Sequence, residues 1–138
     1  MQKLLFVTLT SLFLTTALRA ENEIDKNHRM ITELISTVKI VNATFIRNGS
    51  EHTPTEAANH IERKYSYARK KYTFMGPVKN ITPEQFIEHI ASKSSTTGKD
   101  YHIKFDGFAP VKMKDWLERQ LNLIRQREKE SVGHSGQK

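Results

Sequence analysis

Ile24, Ile31, Leu34, Ile35 and Val38 recur at the spacing of one helical face, which predicts a helix over residues 23–40. The next segment, Val41 to Ser50, is β-branched and aromatic and ends in Asn48-Gly49, the pattern of a strand entering a turn. Thr53-Pro54-Thr55-Glu56 then starts a helix. Threonine can cap, proline suits the first turn, and the glutamate three residues on can complete a capping box. Ala57, Ala58, Ile61, Tyr65 and Ala68 carry this helix to about Tyr72, before a breaker at Met75-Gly76-Pro77-Val78. Thr82-Pro83-Glu84-Gln85 repeats the start signal, and Phe86, Ile87, Ile90 and Ala91 give a short apolar face.

Ser92 to Lys99 is polar and predicts a loop. Tyr101 to Phe105 alternates apolar and polar residues, which predicts a second strand turned by Asp106-Gly107. From about Asp115, the stripe Trp116, Leu117, Leu121 and Ile124 predicts a last helix. The residues from Ser131 onward are polar with two glycines and predict a disordered tail over 131–138. The expected fold is α+β: about four helices packed on a small two-stranded antiparallel ribbon, in the order α-β-α-α-β-α. An isolated two-stranded ribbon is marginal in water, so the helices must supply most of the core.

The first twenty residues obey a different logic. Lys3 alone forms a basic n-region, Leu4 to Leu14 carries no charge, and small residues come after it. That apolar run falls short of the roughly 20 residues that span a bilayer and has the layout of a cleaved signal peptide. Cleavage is expected after Ala20, with Ala17 as second choice, leaving a single domain over 21–130 and its tail. A periplasmic destination is expected, extracellular as second choice, with no transmembrane segment once the leader is removed.

Composition narrows the chemistry. The chain has 138 residues, no cysteine, 37% hydrophobic and 27% charged residues. Such a composition excludes wholesale disorder and a polytopic membrane protein. The missing cysteines exclude disulfides, thiolate metal sites and thiol nucleophiles. With 22 Lys and Arg against 15 Asp and Glu, the net charge is +7. Loss of Lys3 and Arg19 with the leader lowers it to +5, which equals the net charge of residues 62–79 alone. There Arg63, Lys64, Arg69, Lys70 and Lys71 are interleaved with Tyr65, Tyr67 and Tyr72, a pattern that suits anion binding or a plain solvated helix face.

Other constellations are weaker. His52, Glu56 and His60 are spaced by four and could offer metal ligands, but Glu56 already has a capping role, and no metal site is expected. Gly98-Lys99 lacks the upstream glycine and the following hydroxyl of a phosphate-binding loop. Asn42, Asn48 and Asn80 open glycosylation sequons, which matter only in a eukaryotic secretory route. No catalytic residue is assigned and no cofactor is expected.

The segments Phe45-Ile-Arg-Asn-Gly-Ser-Glu-His52, Glu56-Ala-Ala-Asn-His60-Ile-Glu-Arg-Lys64-Tyr65 and Phe86-Ile-Glu-His-Ile-Ala-Ser-Lys-Ser-Ser-Thr-Thr-Gly98-Lys99-Asp-Tyr101, with Trp116-Leu117, resemble the YfeK-like family. These are small exported bacterial proteins grouped as a domain of unknown function, and the resemblance covers about residues 24 to 124. It implies a Gram-negative envelope protein, in which the sequons carry no sugar, and it brings no catalytic residue. This chain lacks the cysteines that members often carry near the first strand, and its stretch Tyr72 to Asn80 is longer than the family pattern. The resemblance also implies that the end of strand one, the face of helix two and the loop before strand two meet. Arg47, Asn48, His52, Glu56, His60, Ser94, Ser95, Gly98, Lys99 and Tyr101 would then form one polar cluster, whether for binding or to satisfy buried backbone groups.

The function expected is that of a small periplasmic binding or accessory protein. The alternatives are a hydrolase acting on an envelope polymer and a His/Glu metal-binding protein. The partners that fit are an anionic envelope polymer or an envelope protein; nucleic acid is disfavoured in that compartment.

Overall fold

The computed structural model describes residues 22–70 and 80–135. The proposed leader, Lys71, Tyr72 and the Met75 breaker lie outside the described residues. Helix α1 covers residues 22–40 and buries Met30, Ile31, Leu34 and Val38, the face set by its apolar spacing. Strand β1 (Thr44–Arg47) turns directly into β2 (Ser50–His52). Asn48 (φ 50°) and Gly49 (φ 82°) both have positive φ, as a two-residue hairpin loop requires.

Helix α2 (Pro54–Lys70) begins with the expected capping box. Thr53 donates its backbone N–H to a Glu56 oxygen at 2.8 Å, and Glu56 donates its own N–H to the Thr53 hydroxyl at 3.3 Å. Thr82 and Gln85 repeat the arrangement at the start of α3 (Pro83–Phe86). That short helix widens at once into a π-helical turn, Ile87–Ala91, whose end is tied down by the Ser92 hydroxyl donating to the Ile87 carbonyl. Strand β3 (His102–Lys104), strand β4 (Val111–Lys112) and helix α4 (Met113–Ser135) complete the chain.

The expected α+β class holds, but the sheet is larger than a two-stranded ribbon. Four antiparallel strands lie in the order β2-β1-β3-β4, and the element order is α-β-β-α-α-β-β-α. The central pair is the one expected, with Phe45 opposite Ile103 and Ile46 opposite His102. The two added strands are edges. Ser50-Glu51-His52 is wholly polar and Val111-Lys112 has only two residues, so neither shows an apolar alternation. Backbone pairing alone makes them strands. Helix α4 also continues past Ser131, the expected start of the tail, as far as Ser135.

One core joins the helices to one face of the sheet. Phe45 meets Trp116 edge-on at 6.3 Å between ring centres, and Tyr65 meets Phe86 likewise at 5.5 Å. Ile31, Leu34, Ile61, Phe86, Ile103, Leu117 and Ile124 are almost completely buried, each worth roughly 1.5–3 kcal/mol of transfer free energy. Buried Asn27 donates to Asn80 at 3.0 Å, which ties α1 to the entry of α3.

Candidate functional site

Side chains alternate across a strand, so Arg47 points to the same side of β1 as the buried Phe45. Tyr101 likewise shares the side of buried Ile103, and His52, paired with Phe45, joins them from β2. This face carries the core at its centre and becomes polar at the end near the hairpin. Helix α2 lies against it with His60 and, one turn later, Lys64.

The contacts form a connected chain. Thr97 donates its hydroxyl to Asn48 Oδ1 at 2.9 Å, and Asn48 Nδ2 donates to Ser94 Oγ at 3.4 Å. Ser94 Oγ also accepts the Thr97 N–H at 3.2 Å, and its hydroxyl faces Tyr101, whose pKa it acts to lower. The Tyr101 hydroxyl in turn lies 3.3 Å from His60 Nε2. Lys64 donates to the backbone carbonyls of Ile90 and, at 2.8 Å, Lys93, while its ammonium stands 5.4 Å from the centre of the Tyr101 ring. The loop itself closes by Ser94 N–H to the Lys99 carbonyl and Gly98 N–H to the Ser94 carbonyl, both at 2.9 Å. Gly98 has φ 70°, which suits a residue without a side chain.

Electrostatics here are one-sided. Burial, then the positive charge of Arg47, followed by Lys64, Arg63 and His52, pushes His60 down to about 4. Burial and then Arg47 pull Lys64 down to about 8. Burial raises Tyr101, while Arg47 and the Ser94 hydrogen bond act in the opposite sense. Arg47 is partly buried, and its side chain makes no hydrogen bond or ion pair among the described residues. The acids nearby are engaged elsewhere. Glu56 holds Thr53 and feels Arg47 least of the groups acting on it, Glu88 pairs with Lys93 and Lys114, and Asp100 with Lys112. A cavity of about 20 Å³ lies among Arg47, His52, His60 and Tyr101, and His52 Nε2 is buried there without a partner.

Most of the expected cluster therefore does meet: Arg47, Asn48, His52, His60, Ser94 and Tyr101, with Gly98 shaping the loop. Glu56 stands exposed in its cap, the Ser95 side chain makes no hydrogen bond among the described residues, and Lys99 contributes only backbone groups. Among its described residues, the basic segment does not form one surface. Lys64 turns into the cluster. Arg69 folds over Tyr65 at 5.7 Å and onto His28, whose Nδ1 is 3.0 Å from the Tyr65 hydroxyl; Arg63 and Lys70 are exposed, and Lys71 lies outside the described residues. Among the described residues no three His, Asp or Glu side chains are grouped to hold a metal ion.

The sequence reading missed Thr97 and the inward turn of Lys64, and it passed over His28. The four-residue spacing of His60 and Lys64, on the face that buries Ile61 and Tyr65, was the available signal for Lys64.

Fold and cluster together define a small α+β domain with basic and hydroxyl-bearing side chains around a small cleft at one end of its sheet, whose lining also includes Phe45, Ile61 and Met113. Residues 25–125 match a family of unknown function, DUF5329, and the chain belongs to that family. Among curated proteins it is similar to an uncharacterised protein, YfeK, of Salmonella typhimurium (strain LT2), with 41% identity over 58 residues. The match covers 42% of this chain and 42% of that relative, so it spans under half the relative's length. No solved structure matches the chain. No helix among the described residues is long and apolar enough to cross a membrane.

Proposed function

We propose that this is an exported, non-enzymatic binding module of the bacterial envelope, which engages its partner through the polar cleft at the hairpin end of the sheet. One observation carries the reading: Arg47, a partly buried residue lining that cleft, has no side-chain partner among the described residues. A charge partly withdrawn from water is costly unless paired, and no described residue pairs it, which supports a complement supplied by a partner. The leader-like first twenty residues support export, and the scattering of Arg63, Lys64 and Arg69 argues against the basic segment as a rival surface.

The test is affinity capture from the native envelope with wild type, Arg47→Ala and Lys70→Ala. The expected result is one partner that Arg47→Ala loses at least tenfold and Lys70→Ala retains. Loss with Lys70→Ala alone would move the site to the outer face of α2. Capture of nothing by the wild type would end the binding-module reading.

A further inference from the structure

The cleft carries a more specific reading, which rests on its being the binding site. We infer that it is an oxyanion receptor, seating the carboxylate or phosphate group of an acidic ligand on Arg47, and that occupation is coupled to proton uptake at His60.

Arg47 supplies the anchor. A guanidinium presents a planar fork that matches two oxygens of a carboxylate or phosphate. Here the fork has no protein acceptor among the described residues, although Arg47 is partly buried. The charged and titratable groups facing His60 come from every element around it: Arg47 from β1, His52 from β2, Tyr101 at the head of β3, and Arg63 and Lys64 from α2. None is a carboxylate; the nearest, Glu56, one turn before His60 on α2, is exposed and engaged with Thr53. This composition favours a negative guest.

Size and orphaned groups agree. The cavity of about 20 Å³ holds one water and not an anion. The guest therefore sits at its mouth on Arg47, beside the buried and unpartnered His52 Nε2.

The hydrogen-bond chain sets the coupling. Ser94 Oγ accepts from Thr97 N–H and Asn48 Nδ2, so its own proton is left for Tyr101. Tyr101 then donates to His60 Nε2, and the neutral ring keeps its hydrogen on Nδ1. An anion beside Arg47 offsets the positive charges that keep this imidazole neutral. His60 takes a proton from solvent, Nε2 becomes a donor to Tyr101, and the phenolic hydrogen is released toward the anion.

The test is an NMR pH titration of the histidine Cε1–H signals of the full chain, in chloride alone and at matched ionic strength with inorganic phosphate or with acetate. The expected result is that the His60 midpoint rises by about one pH unit with an oxyanion, equivalent to about tenfold tighter binding to the imidazolium form, while His28 stays put. A response to phosphate alone identifies a phosphate ligand, and a response to acetate alone a carboxylate. Arg47→Gln should abolish the shift, Arg47→Lys should shrink it, and Arg119→Ala, on the exposed face of α4, should keep it. If Arg47→Gln loses the β1–β3 amide signals, Arg47→Lys decides, because it keeps the charge without the fork. A His60 midpoint unmoved by both anions, or moved equally in both Arg47 variants and the wild type, would overturn the inference. Arg47-dependent capture from the envelope with no anion response would leave the binding module standing and remove the oxyanion.

Discussion

The ammonium of Lys64 lies 2.8 Å from the backbone carbonyl of Lys93, so one turn of α2 pins the start of the loop that carries Ser94 and Thr97. Replacing it by methionine leaves that carbonyl and the carbonyl of Ile90 without their donor. Lys64→Met is expected to destabilise the fold by about 1–3 kcal/mol at neutral pH, read from urea midpoints at constant slope. The pH dependence has a definite sign. Lys64 is held at about 8 in the fold against a reference of 10.5, so between those values the unfolded chain holds the proton more tightly. Stability from this group therefore rises with pH across that window. Wild type should gain on Lys64→Met between pH 8 and pH 10.5; a constant gap would show that Lys64 is solvated.

The histidines act at the acid end. His60 is pushed from 6.5 to about 4, and burial followed by Arg69 lowers His28 as well. For a group depressed on folding, stability is full above 6.5 and is lost as pH falls toward the folded value. The midpoint of thermal unfolding should drop further between pH 7 and pH 5 in the wild type than in His60→Gln. Equal drops would place the acid sensitivity elsewhere.

The hairpin turn separates backbone from side-chain effects. A Cβ at Gly49 meets nothing within 4 Å, so Gly49→Ala suffers only from its positive φ, about 1 kcal/mol. Asn48→Gly keeps the turn but removes the bonds to Ser94 and Thr97. It should cost about 1 kcal/mol and speed amide exchange at Thr97 and Lys99, whereas Gly49→Ala leaves those amides protected.

Export is checked by N-terminal sequencing of protein recovered from the periplasmic fraction. The expected first residue is Glu21, with Leu18 as second choice. An intact Met1 in that fraction would turn the first twenty residues into an anchor.

Legibility in the sequence tracks the range of the interactions. Both capping boxes are local, so Thr53 with Glu56 and Thr82 with Gln85 could be placed from spacing alone. The pairing of β1 with β3 was legible because both strands bury alternate apolar residues. Strands β2 and β4 were not, because polar edge strands exist only by pairing to a neighbour, and no local pattern records it. The Ser94–Asn48 meeting came from resemblance. The inward turn of Lys64 depends on how α2 is rotated against the π-helical turn, which is a property of packing.

That π-helical turn has a consequence of its own. It fits one more residue into a turn than a regular helix would, and each residue of an α-helix rotates the chain direction by about 100° around the axis. With this count, the carbonyls of Ile90 and Lys93 meet Lys64, and the loop after them meets Asn48. A homologue one residue shorter between Phe86 and Ser92, with every polar side chain kept, would aim the loop elsewhere. In this domain, chain length across that short stretch sets where the polar cluster assembles, and alignments there should be read by gaps before they are read by letters.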